Sequence, residues 1–360
     1  MITSLFHAWE RRLADVSKDR VVRPFDWGLD WIPRNGHGPD ARAGDVVSDW
    51  VAGVMADTDR FYSAPALDAY TFASEPTGTG RLEFPSAVTT PHPENNTVRC
   101  RLFPARSVRL KPDPRPTIVG SDSRRTGPAV LVLPQWNADP GGHVGLCRLL
   151  AMNGLTALRL SLPYHDERMP PELTRADYIV SSNVARTVQV CRQAVVDARR
   201  AIAWLAREGY GPIGILGTSL GSCLAMLTAA HEPLVRAAAL NHISPHFADV
   251  VWRGLSTRHV REGLDGHIDL DRLRELWRPI SPRHFVRRMR DRRTLLVYAR
   301  YDLTFPVDLS KDLVAAFRAE HSPHEVAVLP CGHYSTGITP FKYLDGWVLT
   351  RFLKRELRQA

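Results

Sequence analysis

From Ala129 onward the chain alternates short apolar runs with longer stretches of helical period. Ala129–Leu133, Thr156–Leu160, 213–217, Ala237–Asn241, Thr294–Ala299 and Glu325–Leu329 read as strands rich in Val, Ile, Leu and Ala. Runs of this kind, bounded by turn residues, mark strands buried on both faces. Helices fill the gaps: Val144–Asn153, a long one carrying Val184, Val188, Cys191, Val195, Ala198, Ile202 and Leu205 on one stripe, a helix after Ser219, Asp308–Ala319 and Pro340–Leu357. Thr174-Arg175-Ala176-Asp177 has the form of a capping box for the long helix. Repeated β-α-β units predict a parallel sheet covered by helices on both sides.

Before this region, Arg81–Val88 and Thr97–Phe103 read as two antiparallel strands joined through a turn-rich segment. The first 78 residues read as a helical N-terminal extension. Ile2, Leu5, Phe6, Trp9, Leu13 and Val16 recur at helical spacing, as do Val46, Val47, Trp50, Val51, Val54 and Met55. Phe25, Trp27, Leu29, Trp31 and Ile32 lie between them, and the aromatics are expected to dock the arm on the main body. Residues 104–128 contain five prolines and no period, so they read as an irregular connector. Residues 243–293 break the alternation and read as a helical cap insertion. The expected division is thus 1–78 as extension, 79–242 with 294–360 as the α/β core, and 243–293 as cap.

Composition narrows the class. An apolar content of 44% and a charged content of 24% over 360 residues are those of a chain with a sizeable buried core. No run nears the roughly 18 uninterrupted apolar residues that a bilayer span needs. The first residues lack the basic start and apolar core of a secretory signal, so the cytoplasm is the expected location. Five scattered cysteines without a C-x-x-C pair argue for buried thiols over a disulfide framework or a zinc site. The net charge of +9 rests on Arg, with only five Lys among 47 basic residues. These are interspersed with acids except near 283–293, so no specific nucleic-acid partner is expected.

The chemistry centres on Gly217-Thr218-Ser219-Leu220-Gly221, placed between a predicted strand and a predicted helix. A serine on so sharp a turn needs small neighbours, and its hydroxyl needs a base to take its proton. The bare pattern is weak, and its position supplies the specificity; the competing reading is a tight turn around a hydrogen-bonded serine. Asp302, a few residues after strand 294–299, is the expected acid, with Asp249 as the fallback. His333, just after the last strand with Gly332 before it, is the expected base. Loops at the carboxyl ends of parallel strands are where open α/β sheets place their chemistry. A second competing reading makes Asp302 a turn residue and His333 an exposed loop histidine. The Leu220 amide is one expected oxyanion donor, and the loop 134–139 the source of the other, from Trp136 first and Gln135 second. Tyr164-His165-Asp166-Glu167-Arg168 lacks a metal-ligand spacing, so no metal is expected. Asn241-His242-Ile243-Ser244-Pro245-His246 reads as pocket rim, and the Arg-rich 283–293 segment as a solvated face.

Taken together, the elbow, the acid loop and the His loop resemble the α/β-hydrolase superfamily across roughly residues 80–360. Leu162-Pro163-Tyr164-His165 and the elbow itself are loosely similar to the abhydrolase-domain-containing 18 group. The resemblance implies an α/β fold with a mostly parallel eight-stranded sheet, a serine nucleophile and no cofactor. Pro134-Gln135 departs from the His-Gly pair common at the oxyanion loop of that superfamily. The expected activity is hydrolysis of a carboxylic ester or related small-molecule acyl substrate through an acyl-enzyme. Acyl transfer and peptide cleavage share the machinery, and a ligand-binding protein of the same shape is the alternative from another class.

Overall fold

The computed structural model describes residues 2–17, 19–34, 36–38, 40–105 and 127–358. The N-terminal segment supplies helices α1 (Ile2–Ala14), α2 (Ala43–Ala56) and α3 (Thr58–Phe61), followed by strands β1 (Thr71–Ser74), β2 (Gly80–Pro85) and β3 (Thr97–Phe103). Then come β4 (Ala129–Leu133), α4 (Val144–Met152), β5 (Thr156–Leu160), α5 (Val184–Arg207), β6 (Ile213–Thr218), α6 (Leu220–His231) and β7 (Val235–Asn241). Three short helices, α7 (Phe247–Arg253), α8 (Arg258–Leu264) and α9 (Leu270–Leu276), precede β8 (Arg293–Ala299), α10 (Val307–Ala319), β9 (His324–Leu329) and α11 (Phe341–Glu356).

The strands form one nine-stranded sheet in the order β1-β2-β3-β5-β4-β6-β7-β8-β9. From β5 to β9 every neighbouring pair is parallel, whereas β1, β2 and β3 are antiparallel and β3 joins β5 antiparallel. The central strands bury both faces because their side chains alternate between two cores. Ala129, Leu131 and Leu133 of β4 point to the layer that holds α5 and α6, while Val130 and Val132 point to the layer that holds α4 and α11.

The ninth strand corrects the expected count of eight. Thr71–Ser74 lies inside the segment read as helical extension, and it pairs with β2 at the sheet edge. Of its four residues only Phe72 is buried, too little to show a period of two in the sequence. The long helix also begins later than expected. Asn183 caps it, accepting from the Arg186 amide at 2.9 Å. Asp177 of the supposed capping box is bound by Arg23 at 3.1 Å instead. Most of the 104–128 connector, residues 106–126, lies outside the described residues.

The arm docks as the aromatic pattern implied, with a different face inward on α1. Ile2 and Leu5 are exposed, Phe6 and Trp9 half-buried, and Glu10 and Ala14 fully buried. Further along, the Val184 amide donates to Asp26 O at 2.9 Å and the Ala185 amide to Trp27 O at 3.1 Å. The arm thus takes up free donors at the start of α5. All five cysteines are free and buried. Among the described residues no helix is long and apolar enough to cross a membrane.

Candidate active site

Ser219 occupies the turn between β6 and α6 with φ 56° and ψ −121°, a conformation a side-chain-bearing residue adopts only under strain. The flanking glycines explain how the turn can close. A Cβ on Gly217 would lie 2.0 Å from the Gly221 carbonyl oxygen. One on Gly221 would lie 2.3 Å from Leu133 O and 2.4 Å from Pro134 O. Gly221 therefore lets the start of α6 approach the loop expected to supply the second oxyanion donor. The turn is also tied to its neighbour strand: the Ser219 amide donates to Asn241 O at 2.8 Å, and the Ser222 hydroxyl bridges Ser219 O and His242 O.

Asp302 follows β8 and is buried. Its Oδ1 accepts from the amides of Thr304 and Phe305 at 2.8 and 2.7 Å, the geometry of a turn-forming aspartate. Its Oδ2 faces the other way and accepts from Nδ1 of His333 at 3.0 Å. The turn and the histidine contact coexist on Asp302, because one carboxylate has two oxygens to give. Burial opposes the charge on Asp302. The charges and hydrogen bonds of His333 and His242 outweigh it and hold the carboxyl well below the usual range. On His333, burial disfavours the imidazolium, but the Asp302 charge and hydrogen bond, aided by Glu10, raise its pKa. Phe305 stacks on the His333 ring with centroids 5.4 Å apart and planes 4° apart, which fixes the ring's orientation.

Ser219, Leu220, Trp136 and Phe305 line one cavity of about 40 Å³, together with Phe247 and Val250 of α7. The elbow, one predicted oxyanion residue from each side and the phenyl ring that backs His333 therefore meet at one place. No hydrogen bond joins the Ser219 hydroxyl to His333 among the described residues. The histidine is bonded on Nδ1 and faces the cavity wall through Phe305. The amides of Leu220 and Trp136 donate to no acceptor among the described residues, as an anion-binding pair requires. Trp136 is held by its indole N–H, which donates to Ala176 O at 2.9 Å, by stacking with the His259 ring and by the Arg175 guanidinium 5.4 Å from its ring centroid. Gln135 does not line the cavity, and its Oε1 is buried without a partner.

Several motifs take structural roles. Asp249 is engaged by Arg274 at 2.6 and 2.8 Å, which removes it as the fallback acid. His165 accepts from the Asn137 amide on Nε2 and contacts Pro163 O through Nδ1, and burial drops its pKa to about 4. It pins the 134–139 loop as a neutral ring. Arg288, Arg290 and Arg293 pair with Asp59, Glu320 and Glu356, so that basic segment is a laced surface.

One residue escaped the sequence reading. His242, expected at the pocket rim, is buried and places its Nδ1 3.0 Å from the same Asp302 oxygen that His333 uses. It stands one residue past the end of β7, the strand between the elbow strand and the acid strand. That strand-end position is the signal that could have found it. The three side chains carry ligand atoms within 4.8 Å of one another, a set of the kind that can hold a metal ion. Here both imidazole Nδ1 atoms are directed at one carboxylate oxygen, the pattern of two N–H donors sharing an acceptor.

A hollow of about 440 Å³ lies against β1 and β2, lined by Tyr70, Glu83 and Phe84. It sits at the antiparallel edge of the sheet, strands away from the elbow.

Sheet order, elbow and helical insertions together define an α/β-hydrolase fold. The family model described as Alpha/beta hydrolase domain containing 18 matches residues 146–259. Solved structures agree on the fold. An acetyl xylan esterase from Paenibacillus sp. R4 is 15% identical with a TM-score of 0.59, over 96% of this chain and 99% of that one. An acetyl xylan esterase from Thermoanaerobacterium sp. JW/SL YS485 is 12% identical with a TM-score of 0.55, over 95% and 98%. Pyrococcus horikoshii acylaminoacyl peptidase is 13% identical with a TM-score of 0.57 over 86% of this chain. The chain spans only 44% of that peptidase's length.

Proposed function

We propose that the protein is a serine hydrolase that cleaves a carboxylic ester or related small acyl compound. Ser219 attacks the acyl carbon, His333 takes the hydroxyl proton and returns it to the leaving group, and Asp302 holds the imidazole in the tautomer that leaves Nε2 free to accept. Water then releases the acyl group by the same path. The amides of Leu220 and Trp136 receive the oxyanion. The observation that carries the reading is the Asp302–His333 hydrogen bond, with Phe305 stacked on that histidine and lining the cavity that Ser219 opens into. The contact between Ser219 and His333 forms on substrate binding, since catalytic hydrogen bonds are commonly long in the free enzyme. The narrow apolar cavity favours a short acyl group. The match over residues 146–259 supports kinship with the domain-containing-18 group.

The test is a fluorophosphonate probe together with p-nitrophenyl esters of increasing acyl length. Stoichiometric labelling lost in Ser219→Ala, with turnover highest for the acetyl ester, is the expected result. A folded wild-type protein that neither labels nor turns over any ester would instead be a ligand-binding protein of this fold.

A further inference from the structure

Glu10 lies in α1, yet it is fully buried. Its Oε2 accepts from the Tyr334 amide at 2.8 Å and its Oε1 from the Ser335 amide at 2.9 Å. Those are the two residues that follow His333. Gly332, the residue before it, leaves the space that the carboxylate occupies: a Cβ there would lie 2.2 Å from Glu10 Cδ. The loop closes around this guest with the Gly332 amide bonded to Ser335 Oγ at 2.8 Å. Among the described residues no Lys or Arg ion-pairs with Glu10, so the two loop amides carry its desolvated charge.

The same helix reaches the acid loop. Phe6 stacks on Tyr301, the neighbour of Asp302, at 4.3 Å and 11°, and Phe6 and Trp9 both meet Phe341 at the start of α11. Arg20, just beyond the helix, bonds Ala14 O and the Tyr334 hydroxyl. We propose that Glu10 is a positioning residue for His333, and that α1 is a strut holding the base-bearing and acid-bearing loops in register. The inference rests on His333 being the base of the proposed hydrolase.

Electrostatics supply a distinguishing signature. His333 is faced by Asp302 and Glu10, by the His242 ring at 4.7 Å and by the Tyr334 ring at 5.9 Å. Arg20 and Arg175 act on Tyr334, and the Cys331 thiol feels Glu10, Asp345 and Asp302. Within this set Glu10 adds negative charge beside the imidazole, which favours its protonated form. A residue that merely fills space would leave that balance alone.

The experiment uses full-length Glu10→Gln, Glu10→Ala, Gly332→Ala and the Glu10→Ala/Gly332→Ala double variant. Two readouts are taken: the His333 imidazole titration by NMR, assigned with His333→Gln, and the pH profile of p-nitrophenyl acetate turnover. Glu10→Gln is expected to lower the His333 pKa by about 0.5–1 unit and kcat about tenfold, with KM within about twofold. Gly332→Ala should cost as much as Glu10→Ala, and add little in the double variant because the clash partner is gone. An unchanged His333 titration in folded Glu10→Gln, or unchanged kcat in Glu10→Ala, overturns the proposal. A wild type that neither turns over ester nor labels sinks the hydrolase reading alone, and the imidazole titration still decides the role of Glu10.

Discussion

His242→Phe tests how Asp302 divides its charge. The carboxylate accepts four hydrogen bonds, from the Thr304 and Phe305 amides on Oδ1 and from the two imidazoles on Oδ2. The substitution keeps a ring of similar size and deletes one donor from the oxygen that also serves His333. A hydrogen bond to a charged group is worth about 1.5–3 kcal/mol net, and the three remaining donors keep the carboxylate from being stranded. Stability should therefore fall by about 2 kcal/mol near neutral pH, measured by urea unfolding. With one competing donor gone, Oδ2 offers more of its charge to His333, and the imidazolium becomes easier to form. The acidic limb of kcat/KM should move to higher pH by up to about one unit, equivalent to 1.36 kcal/mol. This direction is opposite to that expected for Glu10→Gln. A limb that stays put or moves to lower pH in a folded variant would refute the idea that the two histidines compete for one oxygen.

The elbow and the ion pair make further predictions. Gly221→Ala places a methyl against two backbone carbonyls, so it should cost about 3 kcal/mol or more of stability and abolish probe labelling, checked by thermal melts and gel fluorescence. Ser219→Ala should lose turnover by several orders of magnitude while shifting stability by less than about 1 kcal/mol, which the same melts would show. Asp302 has a lowered folded pKa, so its stabilisation is present above the ordinary carboxyl value and lost as pH falls below it. His333 has a raised pKa, so its share is full below the ordinary histidine value and lost as pH rises through the folded one. Asp302→Asn should therefore flatten the acid side of the stability curve below about pH 4 in a series of urea melts.

How much of this was legible in sequence depended on the range of the interaction. The central strands are readable because a run buried on both faces announces itself within a few residues, as Ala129–Leu133 does. β1 was not, since a four-residue edge strand with one buried side chain carries no period. The start of α5 was misplaced for a related reason. Thr174-Arg175-Ala176-Asp177 and Asn183 are both plausible caps locally, and only the distant Arg23 decides that Asp177 is used elsewhere. On the candidate site, strand-end position singles out Asp302 and His333 in the sequence, and the structure places them within hydrogen-bond distance of each other. His242 shares that strand-end position and reads from sequence only as pocket rim; its place beside Asp302 is visible only in three dimensions.

Glu10 shows where pattern reading ends. Its sequence neighbourhood places it on the polar side of an amphipathic helix, where a glutamate is ordinarily solvated. Its partners lie 324 and 325 residues away, and they are backbone amides, which carry no side-chain identity for a sequence to display. The only local trace is at the other end, in Gly332. Read alone, a glycine there leaves room for His333 to reach across to the elbow; the structure fills that space with the Glu10 carboxylate. A glycine beside a candidate base can thus mark a close approach from a remote segment as readily as a hinge. The two differ physically in what a methyl would meet. At Gly332 it meets Glu10, so the residue serves to fix the base loop rather than to free it.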